Sequence, residues 1–238
     1  MTDGDGQPVQ QLEAVLSAAS DHRRPAPADA VALWSGRLPP LLLDIWRRYG
    51  LVRLAEGRLR LVDPRRFEPL MGYIFHGDPD LAGDTHVIGL GDLGELALWS
   101  ERHGFGFLSP LLATLEVPYI IAPAAPSADA QVADLLIPIP PSAIEAFDPQ
   151  HQPLHERLRA RLGRLDNDDI YAATPAPPRL GGTPIEDYEV ADGPEWLEAV
   201  YAEMNITLVD YQRVPSELRM IGAAWPPGLI ATRKRLSQ

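Results

Sequence analysis

Residues 85–109 constrain the fold more than any other stretch. They read "THVIGLGDLGELALWSERHGFGFLS". Three runs, "THVIGL", "GELALWS" and "FGFLS", are rich in β-branched, aromatic and leucine residues. The turn signals "GD" and "RHG" separate them, and such short connections join antiparallel neighbours. The segment therefore predicts a three-stranded meander, which needs helices or a second sheet to cover its apolar side.

The flanking chain supplies helices. In "LPPLLLDIWRRYG" (38–50), Leu38, Leu42, Ile45 and Tyr49 recur at helical spacing, and Leu41 and Trp46 widen the stripe. Pro39 and Pro40 suit a first turn, where a missing N–H costs nothing, and Gly50 suits a left-handed stop. "APADAVALWSG" predicts a shorter helix before it. "RLRLVD" (58–63) alternates as a strand, with Leu59 and Leu61 on one side. Asp63 then caps a helix carrying Phe67, Leu70, Met71 and Ile74, with a kink expected at Pro69.

Beyond residue 122 the chain turns rich in Pro, Ala and Ser, and "ADLLIPI" reads as an edge strand in this connector. "PLHERLRARLG" and "PEWLEAVYAEMN" predict two more helices. "DNDDIYAATPAPPRLGG" reads as loop and extended chain, and "ITLVDY" as a strand. The expected class is α+β, antiparallel sheet packed with helices, in two parts spanning 1–125 and 126–238.

Composition narrows the chemistry. There is no cysteine, which excludes disulfides and thiolate chemistry. Lysine occurs once, at Lys234 in a motif-free tail, so a phosphate-loop or Schiff-base lysine has no candidate. The net charge of −12 repels nucleic acid and anionic membranes and suits a basic partner. The start of the chain does not read as a signal peptide and no stretch reads as a membrane span, so a cytoplasmic protein is expected.

Three motifs invite a chemical reading. "GLGDLG" (89–94) matches a dinucleotide-binding spacing, but a strand follows it where the phosphate site needs a helix, and Asp92 would repel phosphate. It reads as a hairpin turn. "HGDPDLAGDTH" puts His76, Asp78, Asp80, Asp84 and His86 in one loop. That donor set could serve a metal-dependent hydrolase, although Asp, Gly and Pro also build ordinary surface turns. "DNDDIY" (166–171) and "IEDYE" (185–189) are acidic clusters with interleaved Tyr171 and Tyr188. Each is either a solvated face or a docking surface for a basic protein. No nucleophile constellation is visible, so the chain reads as a non-enzyme needing no cofactor or resident metal.

The order of segments adds a resemblance. "LPPLLLDIWRRYG", "RLRLVDPRRFEPLM" and "THVIGLGDLGELALWSERHG" follow one another as in the GAD-like domain family. "LHERLRARLGRLDNDDIYAATPAPPRLGG" resembles the companion C-terminal region, with Ala172 where that family prefers glycine. The leucine–proline helix also resembles one found in a second immunity superfamily. The two-part arrangement, over roughly 30–120 and 150–210, is similar to immunity proteins paired with type VI secretion DNase effectors.

The resemblance implies an antitoxin that occludes its cognate toxin's active or DNA-binding site. The contact candidates are then Asp78, Asp80, Asp84, Asp166, Asp168, Asp169, Glu186, Asp187 and Glu189. The alternatives are a hydrolase centred on the His76–His86 loop and a general protein-interaction adaptor.

Overall fold

The computed structural model describes residues 15–16, 24–122, 124–136, 145–166, 168–175, 182–224 and 226. An eight-stranded mixed sheet organises them. Its strands are β1 (Arg53–Leu54), β2 (Leu59–Leu61), β3 (Thr85–Gly91), β4 (Leu96–Ser100), β5 (Gly104–Ser109), β6 (Thr114–Glu116), β9 (Thr207–Val209) and β10 (Glu217–Met220). They lie side by side in that order. The expected meander is β3–β4–β5, with His86 opposite Trp99 and Leu98 opposite Gly106. β6 pairs with β9 in parallel, so the sheet is continuous across the boundary expected near residue 125. A separate ribbon pairs β7 (Asp169–Ala173) with β8 (Tyr188–Asp192). The fold class is α+β, as expected.

Every residue of β3 and β4 is buried, because both faces of the sheet are covered there. One face carries Ile88, Ala97 and Trp99. It packs under α1 (Ala30–Leu33), α2 (Pro40–Tyr49) and α4 (Ala128–Leu136). The other face carries Val87, Leu90, Leu96 and Leu98. It packs against α3 (Glu68–Ile74) and α6 (Gly193–Ala202).

The α2 helix forms as its sequence predicts. Pro40 opens it, and the first free N–H, of Leu41, donates to the Asp129 carboxylate at 2.9 Å. Gly50 closes it with φ 74° and an N–H to the Trp46 carbonyl. A Cβ there would also lie 2.3 Å from the Arg24 carbonyl, so glycine is required twice over.

Two local expectations change. Residues 133–136 of "ADLLIPI" end a helix and are not a strand, while 137–139 lie outside the described residues. Val132, Leu135 and Leu136 fall at i, i+3 and i+4 and are buried in the core under α2. A short apolar run does not by itself separate strand from helix. Pro69 does not kink a continuous helix. The chain makes a 3-10 turn at Pro64–Arg66, and α3 starts afresh with Pro69 in its first turn. Asp63 caps the 3-10 turn as predicted, accepting from the Arg65 N–H at 3.1 Å.

The sheet ends differently from how it begins. Direct pairing aligns Phe107, Glu116, Val209 and Glu217 in one row across β5, β6, β9 and β10. Ser109, Thr114, Thr207 and Met220 form the next such row. These residues share the face that α2 and α4 cover farther back. The opposite face of the same strands presents Leu108, Leu115 and Leu208, all fully buried.

Candidate interaction surface

The loop between α3 and β3 was one source of candidate residues, and its side chains go separate ways. Asp78 and Asp80 turn inward to Arg219 on β10. The guanidinium donates to both Asp78 oxygens at 2.6 and 2.9 Å and to Asp80 at 3.1 Å. Asp78 also accepts from the N–H groups of Gly222, Asp80 and Leu81. Burial works to raise its carboxyl pKa, but the bonds from Arg219, Gly222 and Asp80 outweigh it and hold the group low. Asp84 forms an ion pair with Arg102.

His86 is buried, with Nδ1 2.8 Å from Glu68 and Nε2 2.9 Å from Glu101. Trp34 lies against its ring at 5.0 Å between centroids. Burial raises the Glu101 pKa, but hydrogen bonds from His86 and Arg37 lower it further than burial lifts it. His76 is exposed. Among the described residues no three His, Asp or Glu side chains converge as metal ligands. The loop geometry thus lends the hydrolase reading no ligand set.

The two acidic clusters lie at opposite ends of the β7–β8 ribbon, Asp166–Asp169 beside Asp192 and Glu186–Glu189 beside Ala172–Thr174. Asp169 faces Asp192 across the strands. Asp192 caps α6 through the Glu195 N–H and pairs with Arg66. Asp168 lies 3.7 Å from Arg66 and 4.0 Å from Arg24, and burial raises its carboxyl despite these cations. Asp187 is half-buried. Asp166, Glu186 and Glu189 face solvent, Glu189 accepting from the Thr174 hydroxyl at 3.0 Å. Arg161 holds the ribbon's approach by donating to the carbonyls of Ile185, Glu186 and Tyr188. Of the nine candidates, then, Asp78 and Asp80 are internal, Asp84 and Asp168 are ion-paired, Asp169 and Asp187 are half-buried, and Asp166, Glu186 and Glu189 are the solvent-facing carboxylates.

The "GLGDLG" segment is a hairpin turn, and it is also where the two portions of the chain meet. Gly94 has φ 92°, and a Cβ there would touch Trp196 at 3.0 Å. The Asp92 carbonyl accepts from the Tyr171 N–H of β7 at 2.8 Å. Its carboxylate lies 3.1 Å from His155 Nδ1, on α5 (His155–Leu162), and 3.5 Å from Arg60 of β2. Burial lowers the Arg60 pKa, with Asp92 opposing that shift. Glu95 is half-buried beside them, and burial pushes its carboxyl up to about 7. Tyr171 is raised to about 12, mainly by burial, and its hydroxyl donates to the Gly163 carbonyl at 2.6 Å. Sequence reading missed this cluster. In "RLRLVD", Arg60 alternates with leucines as a solvent-facing residue would, and only the packing of β7 and α5 over the turn buries it.

With this geometry in place, the class is an α+β protein, and the model of the GAD-like domain family matches its residues 10–108. A solved structure extends the likeness to most of the chain. It is the crystal structure of Atu4351 from Agrobacterium tumefaciens, with a TM-score of 0.78 and 21% identity. The alignment covers 87% of this chain and 95% of that one. At that identity the similarity establishes a shared fold. No curated protein matches the chain. Among the described residues, no helix is long and apolar enough to cross a membrane.

Proposed function

We propose that this chain is an immunity protein that binds and neutralises a DNase effector of type VI secretion, covering its active or DNA-binding site. In this reading it acts in the cytoplasm, is not an enzyme and needs no cofactor. The observation that carries the reading is its uncompensated negative charge: a net −12, with Asp166, Glu186 and Glu189 facing solvent. A nuclease must present a basic cleft to DNA. An acidic body of this kind associates with such a cleft quickly and excludes the polyanion by occupying its place. The GAD-like match over residues 10–108 and the segment order that resembles toxin-paired immunity proteins support the same reading.

The test is co-purification with the product of the adjacent gene, followed by DNA cleavage assays with and without this chain. A stable complex that no longer cleaves DNA is expected, with affinity falling as salt rises. Absence of a complex, or a complex that still cleaves, would reject the reading.

A further inference from the structure

In the rows Phe107–Glu116–Val209–Glu217 and Ser109–Thr114–Thr207–Met220, Val209 is buried, Phe107 is half-buried and Met220 is exposed. Tyr211 is 55% exposed and sits over the second row, its hydroxyl 3.3 Å from the Thr114 hydroxyl. Met220 is exposed on the edge strand, and Val214 projects fully into solvent from the β9–β10 loop. Beside these rows, Phe105, Phe107, Glu116, Tyr119, Asp134 and Leu135 line a concavity of about 340 Å³. Sheet residues form its floor, and the flank of α4 forms one wall.

Apart from Arg213 in the β9–β10 loop, the charges beside this floor are carboxylates. Glu116, Asp134, Asp210 and Glu217 form no ion pair among the described residues. Glu116 is raised by burial and then by the charge of Asp210, so two of these carboxylates stand close enough to repel each other. Arg213, in the same hairpin loop, donates its backbone N–H to the Asp210 carbonyl and forms no ion pair with them. A second copy of the chain would bring the same carboxylates against each other, which disfavours self-association. An apolar floor within an acidic rim suits an aromatic or aliphatic anchor flanked by cations.

We propose that this face docks a protein segment carrying Arg or Lys on either side of an apolar side chain. The apolar group enters the Phe105–Phe107–Tyr119 concavity, and the cations meet Glu116, Asp134, Asp210 and Glu217. The proposal deepens the antitoxin reading and rests on it only for the partner's identity. It places the main contact on β5, β6, β9 and β10, away from the acidic ribbon β7–β8.

The experiment has two arms, both on the full chain. In the first, calorimetry measures binding of the adjacent-gene nuclease. The variant Tyr211→Ala/Glu217→Lys is compared with the ribbon variant Glu186→Lys/Glu189→Lys. The face variant should weaken binding by roughly 100-fold and the ribbon variant by less than about 5-fold. The reverse order would overturn the proposal. The second arm titrates a synthetic twelve-residue Arg/Leu peptide into ¹⁵N-labelled chain. Amide shifts should concentrate on β5, β6, β9 and β10 and vanish in the face variant. Shifts centred on β8, or no binding, would overturn it. A wild-type dimer in sedimentation that Tyr211→Ala converts to monomer would overturn it as well. If the nuclease fails to bind the wild-type chain, the antitoxin reading falls and the peptide arm decides this proposal alone.

Discussion

One sheet face has two fates in this molecule. From β2 to β4 it carries Leu59, Leu61, Ile88, Ala97 and Trp99, all buried beneath α1, α2 and α4. From β5 to β10 it carries Phe107, Ser109, Thr114, Glu116 and Glu217, which are half-buried or exposed, and the buried Val209. The difference lies in the residues themselves. The covered end is apolar apart from His86, which Glu68 and Glu101 satisfy, and gains stability from being roofed. The open end mixes two or three apolar groups with hydroxyls and carboxylates, which a helix could not bury without leaving polar groups unsatisfied. On their other side β5, β6 and β9 present Leu108, Leu115 and Leu208, fully buried, and β10 adds Arg219, whose charge Asp78 and Asp80 neutralise.

The largest effect should come from the ion cluster that pins the open end. Arg219→Ala would leave Asp78 and Asp80 buried without their cation and cost roughly 3–5 kcal/mol in urea denaturation. A cost below 1 kcal/mol would mean that β10 is not anchored through this cluster.

The next concerns the turn at Glu95, where β3–β4 meets the second part of the chain. Its folded-state pKa is raised from 4.5 to about 7. The folded protein therefore holds a proton that the unfolded chain has already released between those values. This contribution is fully present below about pH 4.5, is lost as pH rises to about 7, and then stays flat. Its upper bound is about 3 kcal/mol. Glu95→Gln should remove that decline from a stability-versus-pH series, and an unchanged slope would place its origin elsewhere.

Smaller changes sharpen the contrast between the two ends. Ile88→Val, at the covered end, should cost about 0.5–1.5 kcal/mol. Tyr211→Ala, at the open end, should lie within about 0.5 kcal/mol of wild type. Equal costs for the two would show that the open end is covered in solution.

The sequence made the periodic parts legible. The meander, the α2 stripe with its proline and glycine ends, and the Asp63 cap are local patterns, and each appears where its residues predict. Short elements were less legible. β6 and β10 have three and four residues, too few for alternation to stand out, and β6 also pairs with β9, about ninety residues on. The acidic residues posed a different problem. Asp78 and Glu186 look alike in a sequence. One is buried because Arg219 lies 141 residues away along the chain, the other is exposed, and nothing local separates them. Charge composition therefore suggested the kind of partner, whereas only the fold sorts the carboxylates that could meet it.

The parallel pairing of β6 with β9 bears on how the chain is made. Residues 114–116 leave the ribosome about ninety residues before their neighbours at 207–209. At roughly 5–20 residues per second, β6 waits some 5–20 s with an unpaired edge. Asp78 and Asp80 wait longer still for Arg219. Through that interval the nascent chain holds a strand edge and two aspartates whose partners have not yet been made. A chaperone acting on this protein during synthesis would find its clearest target there.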